Sequence, residues 1–209
     1  SAGEVDRVLD AARPDWVIHC AALADLEACE ADPGLASQLN ADLPWAVAKA
    51  CHARGLPLVQ ISTDAVFDGT KSGVYTEEDA PNPVSVYAQT KLEGERAVLA
   101  AHPEAIVARV NFFGWSLSGR RSLAEFFFHN LTNNKSMSGY TDVIFCPMHV
   151  RHLGQVLLAM LEKNLHGLYH AVGPEPMSKY KFGVDIARKF GLNGNEISPR
   201  SIHTSKLVA

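Results

Sequence analysis

Ile61-Ser62-Thr63-Asp64 and, further along, Tyr87-Ala88-Gln89-Thr90-Lys91 are the two segments from which the rest of the chain can be read. The first sets two hydroxyl residues at the end of the apolar run Leu58-Val59-Gln60-Ile61, which reads as a strand. The second sets a Tyr and a Lys four apart, hence on one face of a helix, one turn along. A strand that ends in hydroxyls and passes through a loop into a helix is one unit of an alternating α/β chain. A phenol beside a fixed ammonium and a strand-end hydroxyl is a proton-transfer device. It suits hydride chemistry on a carbonyl or alcohol wherever a nicotinamide binds nearby.

On the N-terminal side of this unit, a short helix is expected at about Glu4–Ala12, ended by Pro14. Trp16-Val17-Ile18-His19-Cys20 reads as a strand, and its unbroken hydrophobicity predicts burial on both faces. A long helix is expected from about Gly34 to His52, kinked or restarted at Pro44 and stopped at Arg54-Gly55. On the C-terminal side, Asp64–Pro83 is a loop rich in Gly, Asp and Pro, of a length that usually carries function. The Tyr87 helix should run to about Ala101, and Ile106–Val110 reads as a third strand. The segment 111–121 is a loop leading into an apolar helix whose Phe126, Phe127 and Phe128 are expected in the core. A helix at about Val150–Lys163, a strand at Leu168–Ala171 and a helix at about Ser178–Phe190 complete the pattern.

Such alternation predicts an α/β fold: a Rossmann-like parallel sheet with flanking helices, plus a small C-terminal lobe. Residues 1–112 and parts of 140–172 are assigned to the sheet domain, and 113–139 and 173–209 to the lobe. Ligands of these sheets lie beyond the carboxyl ends of the strands. Ala21-Ala22, Ser62-Thr63 and Asn111 all fall there.

The 209 residues are 47% hydrophobic and 20% charged, which is enough for a real core. A net charge of -4 gives no reason to expect nucleic-acid or membrane partners. No apolar run reaches membrane-spanning length and no signal peptide is visible. Cys20, Cys29, Cys51 and Cys146 lack CxxC spacing. Cys20 and Cys51 sit in apolar segments and read as buried free thiols, which fits a reduced, cytoplasmic setting. His149 and His152 lack matching Cys or His partners, so no metal site is expected.

A free Tyr has a pKa near 10, too high for acid–base work at neutral pH. The Lys91 ammonium is expected to lower that of Tyr87. Tyr87 would then exchange a proton with a carbonyl oxygen that Thr63 orients. The small Ala21 and Ala22 permit either close approach of a cofactor or tight helix–sheet packing. Asn40, within an otherwise apolar helix, could hold a neighbouring loop or simply face solvent. Arg120 and Arg121 could pair with a diphosphate or stay solvated.

These segments resemble the extended short-chain dehydrogenase/reductase superfamily, and within it the dTDP-4-dehydrorhamnose reductase (RmlD-type) branch. The likeness is carried by His19-Cys20-Ala21-Ala22 with Asp25 and Glu30, Ile61–Gly69, Tyr75–Asp79, and Pro83, Tyr87, Lys91, Gly94 and Glu95. Gly167–His170 and Ser178–Tyr180 continue it. The resemblance implies that Thr63, Tyr87 and Lys91 are catalytic. Ala21, Ala22, Leu23, Asn40, Ser62, Tyr87, Lys91 and Asn111 would lie near NADP or NAD. Asp64, Ala65, Asn111, Arg120 and Arg121 would line a nucleotide-sugar pocket. The implied reaction is reduction of a 4-keto sugar on a nucleotide carrier. Epimerisation or dehydration of a nucleotide sugar, or a non-catalytic regulatory subunit of the same fold, are the alternatives. A homodimer is compatible with the family.

The chain departs from the family pattern at Ala65, where an aromatic residue is usual, at Ala88, where Gly is usual, and at Arg151-His152, where an acidic pair is common. Its largest departure concerns phosphate binding. A dinucleotide fold grips the pyrophosphate with a Gly-rich turn at a helix N-terminus, yet Gly3 is the only glycine before Gly34. The first three strands and that turn are therefore expected outside these residues. The strand Trp16–Cys20 would then need a neighbouring segment to cover its edge.

Overall fold

The computed structural model describes residues 2–119 and 121–204. The chain divides into two compact units, Ser1–Val110 with Gln155–Ala171, and Asn111–Gly154 with Val172–Ala209.

The first unit opens with α1 (Ala2–Ala12) and β1 (Val17–His19), then α2 (Leu26–Ala31) and α3 (Pro33–Ser37). The expected long helix is interrupted as anticipated near Pro44, but by an unforeseen device. Gln38–Asp42 forms a π-helical turn in which the Leu43 amide reaches back to the Gln38 carbonyl. The α-helix then restarts as α4 (Leu43–Ala53), with Pro44 in its first turn, where a missing N–H costs nothing. β2 (Leu58–Thr63), α5 (Val86–Ala101) and β3 (Ile106–Val110) follow.

The chain then enters the second unit through β4 (Phe112–Phe113), α6 (Leu123–Thr132), β5 (Met137–Tyr140), β6 (Ile144–Phe145) and β7 (Met148–His149). α7 (Val150–Glu162) and β8 (Gly167–Ala171) lead back into the first unit. β9 (Met177–Ser178), α8 (Lys179–Phe190) and β10 (Ile197–Arg200) complete the second.

The first unit holds a four-stranded parallel sheet in the order β1-β2-β3-β8. β2 and β3 are central and almost wholly buried, as their mostly apolar runs lead one to expect. β1 corrects the expectation of burial on both faces. It lies at the sheet edge with β2 as its neighbour, and all three of its residues are only half-buried. Cys20 also departs from expectation: it is exposed, because it lies past the end of β1 where the chain has left the sheet. Cys51 is buried as expected. Leu9, Val47, Ala48, Cys51, Leu58, Val98 and Val107 form the main core, joining α1, α4 and α5 to the sheet.

The 64–83 loop is built rather than slack. The Asp68 carboxylate accepts from the Thr70 amide at 2.9 Å, and from Thr70 Oγ1, Tyr75 Oη and Asn82 Nδ2, each at 2.8 Å. These donors, the Thr70 amide foremost, hold its pKa well below the usual carboxylate range. Phe67 stacks on Tyr75 at 4.2 Å, and Lys71 pairs with Asp79 at 2.6 Å.

In the second unit Phe127, Leu131, Phe145, Phe182 and Ile197 form a separate core. Of the three phenylalanines expected inside, only Phe127 is fully buried, while Phe126 is 48% exposed. Successive helical residues point about 100° apart, so three in a row cannot share a core face. The strand pairs β5–β10, β4–β7 and β6–β9 were not foreseen. At two to four residues each they are too short to show a period. Among the described residues no helix is long and apolar enough to cross a membrane.

Candidate active site

β2 delivers Thr63 and α5 delivers Tyr87 and Lys91. The start of α5 is fixed twice. Ser85 is its N-cap, accepting from the Ala88 amide at 3.2 Å, and Glu30 Oε1 accepts from the Val86 amide at 2.9 Å. Two otherwise orphaned amides are thus satisfied, a cap alone being worth about 1 kcal/mol. The helix ends before Pro103, with the His102 amide donating to the Val98 carbonyl.

Tyr87 is half-buried and shares a hydrogen bond with the Thr63 side chain. Thr63 Oγ1 also accepts from the Ala65 amide at 3.1 Å and approaches Asp64 Oδ1 at 3.4 Å. Lys91 is buried, and its Nζ donates to the Ile61 carbonyl at 2.7 Å. That same carbonyl accepts from Gln60 Nε2 at 2.9 Å. Gln60 Oε1 therefore faces His19, and His19 Nδ1 donates to it at 2.8 Å across the β1–β2 register.

The electrostatics correct one expectation. The Tyr87 pKa is raised, because burial disfavours the phenolate and the neighbouring Asp64 charge adds to this; the Thr63 hydrogen bond only partly opposes them. Lys91 is not among the groups that set the Tyr87 pKa, and its own charge is disfavoured. Burial lowers its pKa to about 8, against support from Glu95 and then Cys20. Tyr87 is thus a neutral phenol at neutral pH, the form that donates a proton.

Asn40 holds a loop, one of the two roles open to it. The π turn sets its buried amide against the segment after β1. Oδ1 accepts from the Leu23 amide at 2.9 Å, and Nδ2 donates to the Leu23 carbonyl at 3.0 Å and to Thr90 Oγ1 at 3.1 Å. The Leu23 backbone is consequently held by Asn40, and its carbonyl also accepts from the Cys29 thiol at 3.4 Å. Gly94 makes this approach of α5 to the π turn feasible, because a Cβ there would run into the Asn40 carbonyl. Ala21 and Ala22 are exposed at the end of β1, as close approach of a ligand would need. The Ser62 hydroxyl is buried and donates to Glu95 Oε1 at 2.5 Å.

Asn111 and Arg121 belong to the second unit, and Arg120 lies outside the described residues. Arg121 is exposed, and its amide donates to Glu125 at 2.8 Å. Glu125 closes the 116–122 loop. It accepts from the amides of Ser116 and Ser122 and from Ser116 Oγ, and completes a capping box at the start of α6. Burial pushes its carboxyl up, but these donors outweigh it and hold the pKa at about 2.

The buried pair Glu95–Arg109 was missed, with N–O distances of 2.9 and 2.7 Å. A signal was available: Arg109 interrupts an otherwise apolar strand, and Glu95 falls four residues after Lys91. Among the described residues no cluster of three or more His, Cys, Asp or Glu could hold a metal ion.

A parallel sheet flanked by helices, with Thr63, Tyr87 and Lys91 at a strand end, defines a Rossmann-like α/β fold. The comparisons narrow this. The profile of the RmlD substrate binding domain matches residues 1–208, and the chain belongs to that family. It is 30% identical over 190 residues to the probable low-salt glycan biosynthesis reductase Agl14 of Haloferax volcanii, covering 90% of this chain and 63% of that protein. It is 36% identical over 194 residues to methionine adenosyltransferase 2 subunit beta of Bos taurus, covering 90% and 58%. The chain thus spans less than two thirds of the length of these relatives. A solved dTDP-4-dehydrorhamnose reductase of Bacillus anthracis, in complex with NADP, superposes with a TM-score of 0.90 at 27% identity, covering 97% of this chain and 71% of that one.

Proposed function

We propose that this chain carries the proton-transfer half of an NAD(P)H-dependent reductase acting on a 4-keto nucleotide sugar. The observation that carries the reading is the Thr63–Tyr87 hydrogen bond at the end of β2, with Lys91 one helical turn further along α5. The donor set suits the nicotinamide–ribose end of NADPH or NADH. Lys91 uses one ammonium proton on the Ile61 carbonyl, which leaves others for a ribose hydroxyl. Exposed Ala21 and Ala22 leave room beside the strand end, and Asn40 keeps that segment in place. When bound, the cofactor would supply hydride to the carbonyl carbon.

Tyr87 would give its proton to the carbonyl oxygen, and Thr63 would orient that oxygen. A raised pKa suits this direction, because the phenol is fully protonated at neutral pH. The first unit is assigned to the cofactor. The second unit, with Asn111, Arg120 and Arg121, is assigned to the nucleotide sugar. Tyr87→Phe should lower the rate of NADPH oxidation with a dTDP-linked 4-keto sugar by about 10²–10⁴-fold. Unchanged turnover in that variant would exclude Tyr87 as the proton donor.

A second reading is a regulatory subunit of a larger enzyme, favoured by the 36% identity to a methionine adenosyltransferase subunit beta. It predicts co-purification of a larger catalytic subunit and no dependence of that partner's stimulation on Tyr87.

A further inference from the structure

Gln60 is a primary amide on β2, between β1 and β3, and is 2% exposed. Burying such a group is costly unless its polar atoms find partners. Its Nε2 donates to the Ile61 carbonyl at 2.9 Å. Its Oε1 accepts at 2.8 Å from Nδ1 of His19, its register partner on β1. The Ile61 carbonyl also accepts from Lys91 Nζ at 2.7 Å. A continuous run of hydrogen bonds therefore joins the sheet edge to the buried ammonium.

The core does not need this amide. Lys91 alone satisfies the Ile61 carbonyl, and His19 lies on a half-buried edge strand within reach of water. An apolar side chain of the same length at position 60 would orphan no buried group and would bury more apolar surface. The effect of the amide is directional. A carbonyl oxygen offers two lone pairs. With Gln60 on one of them, Lys91 is confined to the other. The ammonium carries three protons, so fixing its bond to Ile61 also restricts where the remaining two point.

The sense of the amide is set from β1. The Ile61 carbonyl can only accept, so Nε2 must face it and Oε1 must face His19. The ring nitrogen opposite Oε1 is then the donor. Burial lowers the His19 pKa, the Gln60 hydrogen bond opposing this and the Lys91 charge adding to it. The ring is thus neutral at neutral pH, with its proton on Nδ1. The other tautomer would draw Nε2 towards the ring and turn Oε1 against the Ile61 oxygen.

We propose that Gln60 is a positioning residue for Lys91, and that His19, protonated on Nδ1, holds the Gln60 amide in the sense that lets it act. Both work through the Ile61 carbonyl rather than on substrate or cofactor. The inference rests on the reading that Lys91 meets the cofactor ribose.

The test is a double-mutant cycle on NADPH affinity, measured by calorimetry with the full-length protein. Gln60→Met keeps the length of the side chain and removes the donor. It should raise the Kd for NADPH by about 3–10-fold, the worth of one hydrogen bond, and have no effect where Lys91 is already Met. His19→Phe changes only the sheet edge, so it serves if Gln60→Met does not fold. It should give a smaller loss in the same direction, again absent in Lys91→Met. Equal losses in both backgrounds, as a merely structural residue would give, or no loss in either, overturn the proposal. 15N NMR of the ligand-free protein should show the His19 proton on Nδ1; the other tautomer also overturns it. A wild-type protein that binds no NADPH would instead count against the cofactor reading. Crystals of ligand-free Gln60→Met would then decide: Lys91 Nζ should leave its place on the Ile61 carbonyl or divide between two, and Nζ in the wild-type position overturns the proposal.

Discussion

Replacing Lys91 with methionine should make the protein more stable at neutral pH while abolishing its activity. Lys91 is 4% exposed, and burial lowers its pKa from the usual 10.5 to about 8. At about 1.4 kcal/mol per unit, holding the ammonium in place costs the folded state ~3 kcal/mol. Methionine matches the length of the side chain without a charge. The Ile61 carbonyl keeps the Gln60 Nε2 donor, and Glu95 keeps Arg109 and Ser62, so no buried polar group is orphaned.

Part of the gain is offset by imperfect packing and a lost charge-assisted hydrogen bond. The expected increase is therefore about 1–3 kcal/mol. The pH dependence follows from linkage. Between about 8 and 10.5 the unfolded chain holds the Lys91 proton and the folded protein does not, so wild-type stability rises with pH across that window. The advantage of Lys91→Met should be full below pH 8 and fade towards 10.5. Urea unfolding of both proteins at a series of pH values measures this. A variant less stable than wild type at pH 7, or a difference independent of pH, would refute the reasoning.

Three further outcomes follow from the same geometry. Gly94→Ala puts a methyl group into the Asn40 carbonyl; it should cost about 1–3 kcal/mol in urea unfolding, and faster amide exchange at Leu23 would locate the damage. Asn40→Ala should leave the sheet intact but free the Leu23 amide and leave its carbonyl only the Cys29 thiol, raising the KM for NADPH more than it lowers kcat. Glu125 has a depressed pKa of about 2, so its contribution is present above the unfolded carboxylate pKa and lost as pH falls through the folded value. Glu125→Gln should therefore lower the Tm at pH 7, with the deficit shrinking towards pH 2 in a thermal-melt series.

Much of this was local and hence legible. Leu58–Ile61 and Ile106–Val110 are mostly apolar runs, interrupted only by Gln60 and Arg109, as strands buried on both faces are, and they became the two central strands. Tyr87 and Lys91 are four apart on a segment with an N-cap serine and a following proline, so their shared face needed no tertiary information. Charge states were a different matter. Whether Lys91 lowers the Tyr87 pKa depends on how much solvent each loses and on what else faces them, and the parts come from separate segments: Thr63 and Asp64 against Tyr87, Ile61 and Glu95 against Lys91.

The same holds for the Asn40 clamp, which joins residues 17 apart through a π turn that no periodicity announces. It holds also for Ser62, whose hydroxyl reads as a site group along the chain but is claimed by Glu95 in the fold. Local spacing could name the reacting groups, because side-chain direction follows from backbone period. Their protonation and availability were set by burial and by partners brought in from distant strands and helices, because solvation is a property of the packed whole.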